Sequence, residues 1–238
     1  MEKHYIFINE VPAALWGQRS ARLFLYIHGK GGNKEEAAAF SEIVCPKGYQ
    51  VLSVDLPEHG QQKSETGTFD PWHAVPELKM IMEYAKMHWQ SISLFANSIG
   101  AWFSMLSFSS EALEQCLFLS PVVDMKYLVS KMMKWADVSE AQLQRERTIP
   151  TSFGETLSWD YWEYIIENPI VKWDAPTQIL YGELDDLIDR DTIEDFSQNF
   201  KCDLTVMKDG EHWFHTPEQL EVLNAWVERN VHPIEVHT

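Results

Sequence analysis

A serine, a carboxylate and a histidine fall in an order along this chain that suits acyl transfer. Residues 91–96, Ser-Ile-Ser-Leu-Phe-Ala, form an apolar run that leads into Asn97-Ser98-Ile99-Gly100 and then at once into a helical pattern. A strand-to-helix turn this abrupt holds its serine in a strained backbone conformation with Oγ projecting from the sheet. Ala96 and Gly100, two residues before and after, are small enough for the two backbones to approach closely. Ser98 is therefore the expected nucleophile.

Such a serine needs a base, an acid to orient that base, and donors for an oxyanion. His212 is the expected base, in Gly210-Glu211-His212-Trp213-Phe214 just beyond the last expected strand. His215 is its rival, but it directly precedes Thr216, a helix cap, and so suits a helix start better. Asp185 is the expected acid. It lies in Gly182-Glu183-Leu184-Asp185-Asp186, past the end of a strand at 177–181, where sites of open α/β sheets form. Glu183, Asp186 and Asp124 compete for the role by composition. The expected oxyanion donors are the backbone N–H of Ile99 and one from the loop His28-Gly29-Lys30-Gly31-Gly32, that of Lys30. His28 itself reads as a structural part of that loop. His212 and His215 have the spacing of a zinc pair but no acidic or cysteine ligand at a diagnostic distance. Neither a metal nor an organic cofactor is expected.

The elements that must position these groups follow from hydrophobic patterning. Residues 5–8 and 11–16 read as an opening antiparallel pair, and 23–27 as a strand buried on both faces. Further strands are expected at 50–56, 91–96, 115–119, 177–181 and 203–207. Helices are expected from Asn33, with Glu36 completing a capping box, to near Gly48; from Asp70-Pro71 to about Trp89; and after Ser98 to about Ser109. Two more are expected within 191–200 and from a second capping box at Thr216 and Gln219 to about Arg229. Alternating strands and helices predict a mostly parallel central sheet flanked by helices, in one domain. From Pro121 to Lys172 no strand is evident. Residues 123–172 are therefore expected to form a helical lid inserted after the sixth strand. Trp159 and Trp162 within it, and Trp213 beside the base, are the expected substrate contacts.

The chain has 238 residues, with 36 acidic against 19 basic and a formal charge of −17. That surface repels nucleic acid and anionic membranes. No run reaches a membrane span, and the first residues show no apolar signal region. Three widely spaced cysteines, Cys45, Cys116 and Cys202, suit a reducing cytoplasm. A homo-oligomer is compatible with the sequence, which carries no signature for one.

The order of motifs resembles the α/β-hydrolase superfamily from about Leu23 to Arg229: a His-Gly loop, Asp-x-Pro-x-His-Gly, the elbow serine, Gly-x-x-Asp and Gly-x-His-x-Phe. Two positions depart from the usual pattern. Ala96 replaces the common elbow glycine, and Glu58 stands where the Asp-x-x-Gly-His-Gly form has glycine. Among members, the chain is most similar to small carboxylesterases and acylglycerol lipases with a helical lid. The resemblance implies a Ser98, Asp185 and His212 triad, with Ile99 and Lys30 as oxyanion donors. The expected activity is hydrolysis of a small-molecule carboxylic ester, or a thioester, through an acyl-enzyme. The alternatives are a non-catalytic small-molecule sensor that keeps the pocket, and an amidase or C–C hydrolase on the same scaffold.

Overall fold

Residues 22–27 show how the sheet is built, because successive side chains point to opposite faces. In a computed structural model, which describes residues 1–233, the strand β3 (Arg22–Ile27) sends Leu23, Leu25 and Ile27 into one core layer. Phe24 and Tyr26 go into the other. With both faces covered there is no polar alternation, which is why the run reads as continuously apolar.

Seven further strands extend the sheet: β1 (Lys3–Ile8), β2 (Val11–Trp16), β4 (Gln50–Val54), β5 (Ser91–Asn97), β6 (Cys116–Leu119), β9 (Thr177–Gly182) and β10 (Asp203–Met207). Their order is β1-β2-β4-β3-β5-β6-β9-β10. β2 pairs antiparallel with β1 and β4, and every other pairing is parallel, with Leu25 opposite Leu52 and Leu94 at the centre. All parallel strands therefore end on one edge, and the loops leaving that edge converge.

Helices cover both faces. α1 (Ala37–Val44) and α8 (Pro217–Asn230) pack against the layer that holds Phe24, Phe95 and Leu117, where Trp226 and Val227 are buried. α2 (Pro71–His88) and α3 (Ile99–Phe108) pack on the other, with Trp102 and Phe103 at its centre. α7 (Arg190–Phe200) links β9 to β10. The caps follow local chemistry: Asp70 accepts from the N–H of His73, and Thr216 and Gln219 form both halves of a capping box. At Asn33 the expected box is replaced by a single bond from the N–H of Glu35, because the first turn is a 3-10 turn that precedes α1. No helix among the described residues is long and apolar enough to cross a membrane.

Between β6 and β9 the chain forms α4 (Met125–Trp135), α5 (Glu140–Glu146) and α6 (Trp159–Glu167). It also forms a short hairpin, β7 (Thr148–Pro150) with β8 (Thr156–Ser158), which corrects the expectation of no strand there. Its strands span three residues each, too short for alternation to register in a sequence.

Candidate active site

Ser98 sits where β5 turns into α3, with φ 53° and ψ −123°, a conformation that L-residues rarely adopt. The turn is held from three sides. Ser98 N–H donates to Leu119 O at 2.9 Å, and its carbonyl accepts from Ala101 and Val122 at 3.1 and 3.0 Å. A Cβ on Gly100 would lie 2.4 Å from the carbonyl oxygen of His28, so α3 can start this close to the end of β3 only with glycine there. Ala96 is wholly buried, and its methyl is absorbed in the core.

His212 and Asp185 arrive on loops from β10 and β9. These loops touch: Leu184 N–H donates to Gly210 O at 2.7 Å, and a Cβ on Gly182 would meet Glu211 O at 2.4 Å. The glycine that opens each motif therefore permits the contact that brings the acid beside the base. Asp185 Oδ2 lies 2.7 Å from His212 Nδ1, and His212 Nε2 lies 2.8 Å from Ser98 Oγ. The carboxyl of Asp185 has no exposed area, and the His212 ring keeps 14% of its own. Asp185 Oδ1 accepts the N–H groups of Leu187 and Ile188 at 2.9 and 3.0 Å. With Nδ1–H donating to the carboxylate, Nε2 is left as the acceptor for the serine hydroxyl.

The competing groups are placed elsewhere. Asp124 caps α4, accepting from Tyr127 N–H at 2.8 Å. Asp186 is exposed, and Glu183 accepts from the N–H of Asp209 at 3.2 Å. His215 lies against Trp213 and hydrogen-bonds its carbonyl at 2.8 Å. No group of three or more His, Cys, Asp or Glu side chains that could hold a metal ion occurs among the described residues.

The loop after β3 is fixed by two buried histidines. His28 Nδ1 donates to Gly29 O at 2.7 Å and Nε2 accepts from Leu56 N–H at 3.0 Å. His59 Nδ1 donates to Pro57 O at 2.7 Å and Nε2 accepts from Gly31 N–H at 2.8 Å. Burial pushes the His28 imidazole down to about 4, so the ring stays neutral. Beneath them Lys34 Nζ pairs with Asp55 Oδ2 at 2.6 Å, and the same carboxylate accepts from the N–H groups of Lys34 and Gln61. Lys30 N–H finds no acceptor among the described residues, and Ile99 N–H, first in α3, has none within its own helix. Glu58 takes φ 62°, so the left-handed conformation persists without glycine. Its carboxylate accepts from Gly67 and Thr68 N–H groups, which offsets about 1 kcal/mol of backbone strain.

Ser98 opens on a cavity of about 570 Å³ beneath the insertion, lined by Met125, Leu128, Val129, Met132, Phe153 and Tyr161. Trp159 and Trp162, expected to contact substrate, are instead buried in the core at 7% and 4% exposure. Their spacing of three puts both on the packed face of α6 with Ile165, a pattern that reads as core once the helix is placed. Tyr161, on the neighbouring face, lines the cavity in their place, as do Trp135 from α4 and Phe153 from the hairpin turn. The Lys30 ammonium pairs with Glu155 of that hairpin across the cavity mouth. Trp213 is 70% exposed and borders a second cleft beside Ser98.

Neither a family model nor a curated protein matches the chain by sequence. Solved structures do match in shape. Est1E from Butyrivibrio proteoclasticus, in a structure with ferulic acid bound, is 20% identical with a TM-score of 0.74, covering 95% of this chain and 96% of that one. The α/β hydrolase domain-containing protein 10 from mouse is 12% identical with a TM-score of 0.76, covering 96% and 98%. The Pyrococcus furiosus esterase Pf2001 is 16% identical with a TM-score of 0.67, covering 96% and 87%. The chain has the α/β-hydrolase fold.

Proposed function

We propose that this chain is a serine hydrolase that cleaves a carboxylic ester through an acyl-enzyme on Ser98. The observation that carries this reading is the hydrogen-bonded line from Asp185 through His212 to Ser98, whose outer end opens on an apolar cavity. The esterases among the structural neighbours support the same chemistry.

In the first half-reaction Ser98 Oγ attacks the ester carbonyl carbon while His212 Nε2 takes its proton. The oxyanion points at the N–H groups of Ile99 and Lys30, each such donor contributing about 10²–10³ in rate. As the C–O bond breaks, the electron pair stays on the leaving oxygen and His212 returns the proton to it. Water then attacks the acyl-enzyme with His212 as base, releasing the acid and regenerating Ser98. Asp185 remains ionised and holds the imidazole tautomer throughout. The insertion serves as a lid over the acyl group, latched to the oxyanion loop by Lys30 and Glu155. An exposed pair of that kind contributes roughly 0–1 kcal/mol, weak enough to open.

The test is labelling with a fluorophosphonate probe, wild type against Ser98→Ala and His212→Ala. Labelling that requires both residues supports the reading, and p-nitrophenyl esters of graded chain length then define the acyl preference. A folded wild type that does not label, yet is thermally stabilised by small apolar ligands, would replace it with a sensor.

A further inference from the structure

Four residues beyond Asp185 the chain reaches Asp189, the N-cap residue of α7. An aspartate at that position ordinarily accepts an N–H of its own first turn. Here the Asp189 side chain makes no such bond. Its carboxylate is given to the insertion instead, accepting from the Tyr127 hydroxyl and, at 2.7 Å, from Lys131 Nζ. Lys131 and then Tyr127 hold the Asp189 carboxyl below the ordinary carboxylate range, so it stays ionised at neutral pH. Lys131 Nζ also reaches the Leu187 carbonyl at 3.5 Å, and it stands over the rings of Tyr127 and Trp135 at 5.8 and 5.6 Å. Tyr127 and Lys131 are four residues apart and share one face of α4. The neighbouring face carries Leu128, Val129 and Met132, which line the cavity. One short helix therefore borders both the cavity and the loop that carries the acid. That loop is anchored differently on its two sides. Towards the sheet, Ile188 is wholly buried and its carbonyl accepts from the Tyr181 hydroxyl at 2.7 Å. On the outer side, Leu187 is only half-buried, and it and Asp189 are held by α4.

We infer that Tyr127 and Lys131 are positioning residues for the triad, holding the acid loop through Asp189 and Leu187 so that Asp185 stays directed at His212. The inference rests on the serine hydrolase reading and extends it. Tyr127, Lys131 and Asp189 do not line the cavity, so they act through another group. That group is Leu187, whose carbonyl faces Lys131 and whose N–H donates to Asp185 Oδ1 at 2.9 Å. One oxygen of Asp185 is thereby fixed while the other meets His212 Nδ1. If Leu187 drifts outwards, the carboxylate turns from the imidazole and no longer selects its tautomer. Exposed contacts of this kind add little to global stability. Their value lies in geometry, where a displacement of about 1 Å costs up to 10²-fold in rate. The insertion is thus gripped by two residues of α4 on the acid side of the site, and by the Lys30 and Glu155 pair on the oxyanion side.

The test measures kcat and KM for p-nitrophenyl butanoate in wild type, in Asp189→Ala, and in Tyr127→Phe combined with Lys131→Met. Both variants should lose about tenfold in kcat, with KM within about twofold of wild type and the urea midpoint nearly unchanged. Lys131→Arg, which keeps a cationic donor, should hold kcat within about twofold. In an Asp185→Asn background, Asp189→Ala should cost less than about twofold more, because the line it supports is already cut. A folded Asp189→Ala enzyme with wild-type kcat overturns the assignment. A loss confined to KM overturns it too, as does a full tenfold loss added to that of Asp185→Asn. If Asp189→Ala fails to fold, the Tyr127 and Lys131 variant carries the same test from the other side of the contact. Failure of both to fold makes the contacts structural and removes the positioning role. Fluorophosphonate labelling separates the two levels: a wild type that labels, with kcat unmoved in the variants, loses the positioning role alone. A folded wild type that does not label loses the hydrolase reading and this role with it.

Discussion

Two clusters of histidine and aspartate lie at the ends of the parallel strands, built from the same residue types to opposite purposes. In the first, His28, His59, Asp55 and Lys34 are buried, and every nitrogen of both rings already has a partner. Asp55 is spent on a buried cation and two N–H groups. A proton cannot enter the His28 ring without breaking a bond that holds the loop. In the second, Asp185 is equally buried, but the line ends at a serine hydroxyl facing a cavity. The first cluster closes on itself and fixes the backbone that presents Lys30 N–H. The second leaves one acceptor poised towards the outside. Residue identity does not separate a latch from a relay; an unclosed end does.

The comparison can be broken at its outermost atom first. Ser98→Ala should lower turnover by about 10⁴-fold or more and leave the melting temperature nearly unchanged. Probe labelling that survived the change would place the nucleophile elsewhere. Asp185→Asn should cost about 10⁴-fold in kcat because it offers the imidazole the wrong tautomer. Asp186→Asn should stay near wild type, and equal losses in the two variants would dissolve the distinction between them. In the closed cluster the loss should be of stability. Lys34→Met leaves Asp55 buried and uncompensated, which should cost about 3–5 kcal/mol in urea unfolding. An unchanged unfolding midpoint would show that the pair does not hold the loop.

The smallest effect sharpens the same contrast through pH. The His28 imidazole ionises near 6.5 when unfolded and only near about 4 in the fold. Between those values the unfolded chain binds more protons, so stability that is full above pH 6.5 falls as the pH drops towards 4. The loss should reach ~3 kcal/mol at the lower end. His28→Gln should flatten that slope in urea titrations, and an undiminished slope would assign the acid sensitivity to other groups.

Much of this architecture was legible because burial on both faces leaves long apolar runs at 23–27, 91–96 and 177–181. The candidate site was legible as an order along the chain, since glycines and charged residues cluster just past those runs. What stayed hidden depends on contacts between distant segments. Glu58 reads as an ordinary loop acid, and its positive φ is stabilised only when its carboxylate meets Gly67 and Thr68. The three-residue strands of the hairpin carry no period. Trp159 and Trp162 look like a binding surface in a list of aromatics, and become core only when α6 turns them both inward.

The strained turn at Ser98 also bears on when the molecule becomes reactive. The serine and its histidine partner are 114 residues apart in sequence, and two of the three bonds that hold the turn come from the distant residues Leu119 and Val122. Forming that contact requires closure of a large loop, a step dominated by chain entropy and completed late in folding. A nascent or partly denatured chain therefore carries an ordinary, unactivated hydroxyl. Covalent capture by a phosphonate should count native molecules one for one, giving a direct readout of the folded population without any spectroscopic baseline.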